Sequence, residues 1–164
     1  MCIRDRGLTN ATIPMGATIV QDYIYESMLE NADAPIELFH GYTYSGHPVA
    51  CAAALATLDI YKEEGLFEHA GEQAPKIEKA AHSLKGTKHI IDIRNLGVIA
   101  ALELEPRGNA VGARGFEVMK KAWDMGLMVR ANGDTLAFSP PLIVQDNQID
   151  EMFTTVKSAL EQVD

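Results

Sequence analysis

A glycine-containing loop that runs directly into an alanine-rich segment constrains this chain more than any other feature. The loop reads His40-Gly-Tyr-Thr-Tyr-Ser-Gly-His47, and Pro48 follows it. Gly41 and Gly46 let the backbone turn and approach a ligand closely, and proline suits the first turn of a helix. The pattern therefore predicts a helix that starts immediately after an accessible loop.

The segment after the loop predicts a helix that packs closely on other elements. Five alanines lie between Val49 and Tyr61, and Gly65 is a suitable stop. The free N–H groups at such a helix start favour an anion, with help from the helix dipole. Many loops of this composition only cap a helix, however, and spacing alone favours this simpler interpretation.

The exact sequence of the loop points to one protein family, whereas its physical properties are common to many loops. Residues 40–53 resemble the loop and helix start of the class III aminotransferases, pyridoxal-phosphate enzymes that include the omega-amino acid:pyruvate transaminases. Two further segments are similar to that family, in the same order along the chain. They read Gly7-Leu-Thr-Asn-Ala-Thr-Ile-Pro-Met-Gly-Ala17 and Arg130-Ala-Asn-Gly-Asp-Thr-Leu-Ala-Phe-Ser-Pro-Pro-Leu142.

The resemblance implies an α/β chain that is the C-terminal part of a fold type I pyridoxal-phosphate-dependent transferase. Residues 1–65 are then expected to be a remnant of the cofactor-binding large domain, which has a mostly parallel sheet. Residues 66–164 are expected to form the small C-terminal α+β domain. Because the similarity begins abruptly at Gly7, we expect a fragment of a longer enzyme that is a homodimer or larger.

The resemblance also implies roles for individual residues. Tyr42 and Thr43 match positions that bind the cofactor phosphate of the neighbouring subunit, and Arg130 matches an arginine that binds the substrate carboxylate. Arg6 stands where the family has the lysine that attaches the cofactor. A guanidinium stays protonated and is a poor nucleophile, so we expect no catalytic residue in this chain.

Local spacing is less decisive about Arg130 than the resemblance is. The segment Leu127-Met-Val-Arg130 is predicted to be a short strand that ends at the arginine, before a turn at Asn132-Gly133-Asp134. An arginine at a strand end is most simply solvated, and only the resemblance favours a substrate role. Asp134 is expected in a turn for its turn propensity alone.

The function implied by the resemblance is transfer of an amino group from an omega-amino acid or amine to pyruvate or a similar keto acid. The cofactor would be pyridoxal 5'-phosphate, and the partners would be small-molecule amine and keto acid substrates. Without the lysine the chain should be inactive alone. Two alternatives stay open: another class III enzyme, such as an aminomutase or decarboxylase, and a non-catalytic interaction protein.

Composition excludes several other classes of function. The 164 residues carry a net charge of −9 with no basic cluster, which argues against a nucleic-acid partner. No apolar run is long enough to span a bilayer, and no signal peptide is evident. Cys2 and Cys51 make neither a disulfide framework nor a metal motif, so a cytoplasmic location is expected. His40 and His47 lack the spacing of metal ligands, and no metal site is predicted.

The remaining patterns predict short strands and amphipathic helices. Pro75 and Gly71 are expected to kink or break a helix over residues 66–85. The other predicted helices span residues 22–29, 116–125 and 146–163, and the predicted strands span residues 16–20, 89–94, 98–104, 127–130 and 135–138.

Overall fold

The computed structural model describes the backbone of residues 2–3 and the whole of residues 7–33, 35 and 43–164. It divides into two compact units, Met1–Glu64 and Gly65–Asp164. Each unit is described below by itself.

The described residues of the first unit form two short strands and two helices. Strands β1 (Cys2–Ile3) and β2 (Ala17–Thr18) pair antiparallel. Helix α1 spans Asp22–Glu30, and helix α2 spans Pro48–Glu63. Helix α1 starts at Asp22, as the predicted span 22–29 has it, and Gln21 holds the cap position.

The described part of the first unit buries little apolar surface. None of the nine residues of α1 is buried, and α2 buries only Ala50, Ala54 and Thr57. The hydroxyl of Tyr61, near the end of α2, donates a 2.6 Å hydrogen bond to the carbonyl oxygen of Gly7. A polar contact therefore links the end of α2 to the segment that begins at Gly7.

The second unit packs three helices on a four-stranded sheet. Its elements in chain order are α3 (Leu66–His82), β3 (Ile90–Leu96), β4 (Ile99–Leu104), α4 (Ala113–Asp124), β5 (Arg130–Asn132), β6 (Thr135–Phe138) and α5 (Asp146–Glu161). The strand order is β3-β4-β6-β5, and every neighbouring pair is antiparallel. The two edge strands are thus β3 and β5.

One face of this sheet forms the core with the three helices. Strand β4 alternates, with Ala100, Leu102 and Leu104 buried and the residues between them more exposed. Period-2 alternation of this kind is expected where only one face of a sheet is covered. The buried core residues are Ile77, Ala81, Leu84, Ala100, Leu102, Leu104, Val118, Ala122, Val129, Leu136, Phe138, Val144, Ile149, Phe153, Val156, Ala159, Leu160 and Val163.

The expected break at Pro75 does not occur, because α3 continues from Leu66 to His82 with Pro75 inside it. A proline ring crowds the carbonyl four residues upstream, and that residue is Gly71. Gly71 has no side chain, and nothing would contact a β-carbon built on it. Residue 71 therefore adds no side chain to the crowding around the proline ring.

Two element boundaries also differ from the sequence prediction. Asn95 and Leu96 belong to β3, so the turn to β4 is made by Gly97 and Val98, with Gly97 at φ +57°. Helix α4 starts at Ala113, three residues before its predicted start. Its cap residue is Gly112, whose own lack of a side chain gives no local capping signal.

Among the described residues, no helix has both the length and the apolar character needed to cross a membrane.

Candidate functional site

The loop before α2 is held in a turn that exposes the start of the helix. Residues 43–46 form the turn, with Gly46 at φ +68°, and the His47 N–H donates to the Tyr44 carbonyl at 3.3 Å. His47 holds the cap position of α2 without a capping side-chain bond, and the first turn carries no acidic side chain. The positive end of the helix dipole is therefore not neutralised by an acid in that turn.

A cleft of about 270 Å³ lies beside this turn, within the first unit. Its walls come from the turn, from Ala50 of α2 and from residues 14–16 of the segment that precedes β2. Thr9 shapes that segment, since its hydroxyl donates to the Ile13 carbonyl at 2.7 Å. Two of the three segments that suggested the family thus meet at one cleft.

The cleft offers polar groups of the kind that bind an anion or another hydrogen-bonding ligand. Thr43 and Ser45 bring hydroxyls, and the Nδ1 atom of His47 is buried without a hydrogen-bond partner in the structure. Buried polar atoms are normally paired, so an unpaired one at a cleft marks a place where a ligand can bind. The predicted cofactor-binding role of Thr43 stays a prediction.

Several residues singled out from the sequence cannot be placed. Arg6, His40 and Tyr42 lie outside the described residues. In the printed sequence the first lysine is Lys62, in the last turn of α2. No lysine therefore occurs in the segment similar to the family's cofactor-lysine region.

Arg130 lies on the exposed face of the sheet in the second unit. It was expected to end a strand over residues 127–130, but it is the first residue of β5 and lies opposite Ala137 of β6. Its neighbours Leu127 and Val129 pack into the core before the strand begins. Among the described residues its side chain makes no ion pair, so the guanidinium is available to an external carboxylate.

Arg94 shares that face but is already paired. Its Nη1 atom lies 2.5 Å from a carboxylate oxygen of Glu103 and from one of Asp92. Hydrogen bonds to Glu103, and then to Asp92, raise the pKa of the Arg94 guanidinium above its usual value. Arg94 is therefore occupied by carboxylates of its own sheet, whereas Arg130 can bind an external carboxylate.

Asp134 does more than favour a turn. Its side chain is 7% exposed, and its two carboxylate oxygens accept N–H hydrogen bonds from Gly112 at 2.6 Å and Gly115 at 2.9 Å. Sequence reasoning missed this contact because its partners lie 19 and 22 residues away along the chain.

Several basic side chains that are distant in sequence bind carbonyl oxygens at residues 163 and 164. Arg107 and Arg114 both donate to the carbonyl oxygen of Asp164, and Arg114 also donates to the carbonyl of Glu105. Lys88 and His89 lie within hydrogen-bond distance of the Val163 carbonyl. All of these basic groups make their contacts within the second unit.

In the part of the chain that the structure describes, no cluster of His, Cys, Asp or Glu is arranged to hold a metal ion.

Comparison with known proteins gives concordant results for sequence and structure. The sequence pattern of the family described as aminotransferase class-III matches residues 1–160. An omega-aminotransferase of Caulobacter vibrioides is 51% identical over 159 residues, which cover 97% of this chain and 36% of the relative. A beta-alanine–pyruvate aminotransferase of Pseudomonas aeruginosa is 42% identical, with 95% of this chain and 35% of the relative covered.

A solved structure, the thermostable omega transaminase 6-fold mutant from Pseudomonas jessenii, superimposes with a TM-score of 0.86 at 32% identity. The match covers 94% of this chain and 36% of that one. The chain thus spans about a third of the length of the relatives that it matches.

Proposed function

Because the chain belongs to the class III aminotransferases, we propose that it is the C-terminal part of an enzyme that transfers an amino group from an omega-amino acid or amine to pyruvate or a similar keto acid. The α/β fold expected from the sequence, part of a fold type I pyridoxal-phosphate-dependent transferase, is confirmed. The observation that carries the proposed reaction is the 51% and 42% identity to relatives named omega-aminotransferase and beta-alanine–pyruvate aminotransferase.

The cleft before α2 fits part of the cofactor. Its hydroxyls, the exposed helix start and the unpaired Nδ1 of His47 suit a phosphate group, which accepts hydrogen bonds and is favoured at a helix N-terminus. Thr43, together with Tyr42 outside the described residues, would hold that phosphate. Pyridoxal phosphate, when bound, supplies the electron sink for the amino transfer.

The chain's own residues would orient the cofactor and the substrate. The resemblance makes Tyr42 and Thr43 ligands of the phosphate in a neighbouring subunit, which is why we propose a homodimer or a larger assembly. Arg130 would orient a substrate carboxylate, because its guanidinium can donate two parallel hydrogen bonds to the two carboxylate oxygens. The cytoplasmic location expected from the sequence stays a prediction.

By the resemblance, the lysine that attaches the cofactor would stand at position 6, inside the residues that match the family. Arg6 stands at that position, and the printed sequence has no lysine before Lys62. Arginine cannot act as an amine nucleophile at accessible pH. We therefore expect no amino transfer by this chain alone.

The proposed function is tested by a chimera with the Caulobacter relative. Residues 7–164 replace the matching third of that enzyme, which keeps its own sequence up to and including the cofactor lysine. Transfer of the amino group from beta-alanine to pyruvate, measured as alanine formed, is the expected result. A chimera that folds and binds pyridoxal phosphate but transfers no amino group from any omega-amino acid or amine would refute the proposal. Rearrangement or decarboxylation of the amine substrate by that chimera would favour the other class III activities.

A further inference from the structure

The turn between β5 and β6 is attached to the start of helix α4 through Asp134. The carboxylate accepts hydrogen bonds from the backbone N–H groups of Gly112 and Gly115, and the residue is almost fully buried. Gly112 is the cap residue of α4, and α4 has no side-chain cap and no acidic side chain in its first turn. Asp134 therefore supplies from another element both the missing cap and the negative charge that a helix N-terminus favours.

The backbones of the helix and the turn touch directly at the same place. A β-carbon at Gly115 would lie 2.3 Å from the Gly133 carbonyl oxygen and 2.9 Å from the Asp134 Cα. The Asp134 carbonyl also accepts a 2.9 Å hydrogen bond from the N–H of Leu104, at the end of β4. The turn is thus fixed to both α4 and β4.

Strand β5, which carries Arg130, leads directly into this attached turn. It is three residues long and is an edge strand, hydrogen-bonded along one side to β6. A shift of one residue in pairing would move the Arg130 side chain from the exposed face to the core face, because side chains alternate along a strand. The turn at Gly133 and Asp134 is the direct connection that sets this pairing.

We propose that Asp134 is a positioning residue for Arg130: by fastening the β5–β6 turn to α4, it fixes the backbone of Arg130 at the place from which the guanidinium reaches the substrate carboxylate. The inference rests on the proposed function of Arg130, and it adds a second residue, Asp134, that positions Arg130 for that function. A short edge strand held on one side only would otherwise leave the arginine poorly located, and misplacement of a substrate-binding group costs catalytic efficiency.

The first experiment measures amide hydrogen exchange in the 164-residue chain. In Asp134→Ala, exchange at residues 130–132 should be faster by about tenfold, since a cap and a turn contact are lost together. Asp134→Asn, whose side-chain oxygen can accept one of the two bonds, should be intermediate. The matched control is Asp124→Ala, which removes an exposed carboxylate from the other end of α4 and should leave exchange at β5 unchanged. Equal exchange at β5 in all variants would overturn the inference.

The second experiment is a double-mutant cycle in the Caulobacter chimera. Asp134→Asn should lower kcat/KM for beta-alanine by about tenfold and change it less than about twofold for a carboxyl-free arylalkyl amine. In the Arg130→Ala background, Asp134→Asn should cost nothing further for beta-alanine, because its effect passes through Arg130. Asp134→Ala serves in the same cycle if the asparagine variant behaves like the parent.

The outcomes separate this inference from the proposed function. A selective loss in Arg130→Ala with an additive further loss from Asp134→Asn overturns the positioning role and leaves the role of Arg130 standing. Equal losses of Asp134→Asn on both substrates also overturn it, since Asp134 would then support the fold only. No selective loss in Arg130→Ala removes the carboxylate role of Arg130, and the positioning role with it.

Discussion

Arg94 and Arg130 lie in one cross-strand row on the exposed face of the four-stranded sheet, at its opposite edges. Arg94 is opposite Ala101, Ala101 is opposite Ala137, and Ala137 is opposite Arg130. With neighbouring strands about 4.8 Å apart, the two arginine backbones are separated by roughly 14 Å. One arginine is paired with carboxylates of its own sheet and the other is not, which makes them a matched pair for mutagenesis.

Replacing Arg130 with alanine in the chimera should weaken carboxylate-bearing substrates selectively. Loss of one partner of a desolvated charge pair costs about 2–5 kcal/mol, or about thirty-fold to several thousand-fold in kcat/KM. Beta-alanine and a carboxyl-free arylalkyl amine are compared in single half-reactions. Arg94→Ala is the control and should affect both substrates equally and slightly. Equal losses for both substrates in Arg130→Ala would mean that Arg130 supports the fold alone.

Restoring a lysine at position 6 should restore cofactor attachment. In a chimera that carries residues 1–164, Arg6 is predicted to occupy the lysine position, so incubation with pyridoxal phosphate and borohydride should leave that position unmodified. Arg6→Lys should give one reduced cofactor adduct on the new lysine, detected by peptide mass spectrometry, and should bring back amino transfer. An adduct-bearing, active chimera that still has Arg6 would contradict the expectation.

The two units should differ in their amide protection. The apolar cluster that packs on the four-stranded sheet lies between Ile77 and Val163, whereas α1 has no buried residue and α2 buries only Ala50, Ala54 and Thr57. Segments with few buried contacts open locally at low free-energy cost. Hydrogen exchange followed by mass spectrometry should show α1 and α2 exchanging well before β4 and α5. Similar protection in all four elements would contradict this prediction.

Two leucines on the β3–β4 hairpin should respond very differently to truncation. Leu102 is 0% exposed and Leu96 is 81% exposed. Leu102→Ala removes packed atoms from the core and should lower the free energy of unfolding by about 2–5 kcal/mol. Leu96→Ala should change it by less than about 0.5 kcal/mol. Urea denaturation measures both, and comparable losses would show that the core is not where the packing places it.

The pair Lys76 and Asp146 should make stability depend on pH in the acidic range. The hydrogen bond from Lys76, 2.7 Å long, lowers the pKa of the Asp146 carboxyl below its ordinary value. The contribution of a lowered carboxyl pKa is fully present above the unfolded pKa of about 3.9 and is lost as pH falls through the folded pKa. Asp146→Asn should therefore be less stable than the parent near neutral pH, and the difference should vanish in acid.

The control for this experiment is Asp150→Asn, which changes another exposed carboxyl of α5 that has no recorded ion pair among the described residues. Its difference from the parent should stay small at all pH values in urea titrations. A difference for Asp146→Asn that grows below the ordinary carboxyl pKa would contradict the assigned direction of the shift.

Helices and strands that are specified by their own residues could be predicted from local sequence patterns. Strand β6 begins and ends where its alternation predicts, and α5 begins at Asp146 as expected, ending two residues early. Gly65, which was predicted to stop α2, has the left-handed backbone that such a stop favours.

Patterns that depend on distant residues could not be predicted in the same way. The start of α4 depends on a carboxylate from the β5–β6 turn, and its own cap residue, Gly112, gives no side-chain signal. Helix α3 continues through Pro75, although a proline inside a helix normally kinks or breaks it. The candidate cleft was suggested by its loop, but the wall formed by residues 14–16 follows only from the tertiary fold.

The contact between α4 and the β5–β6 turn has a consequence for how related sequences can diverge. Any side chain at Gly115 would collide with the backbone of Gly133, and any residue other than an acceptor at position 134 would leave the Gly112 and Gly115 amides unbonded. A substitution at one of these positions preserves the contact only if compensating substitutions occur at the others. Homologues should therefore either keep the whole set or replace it as a block, and a homologue with a side chain at 115 should also carry a differently shaped turn.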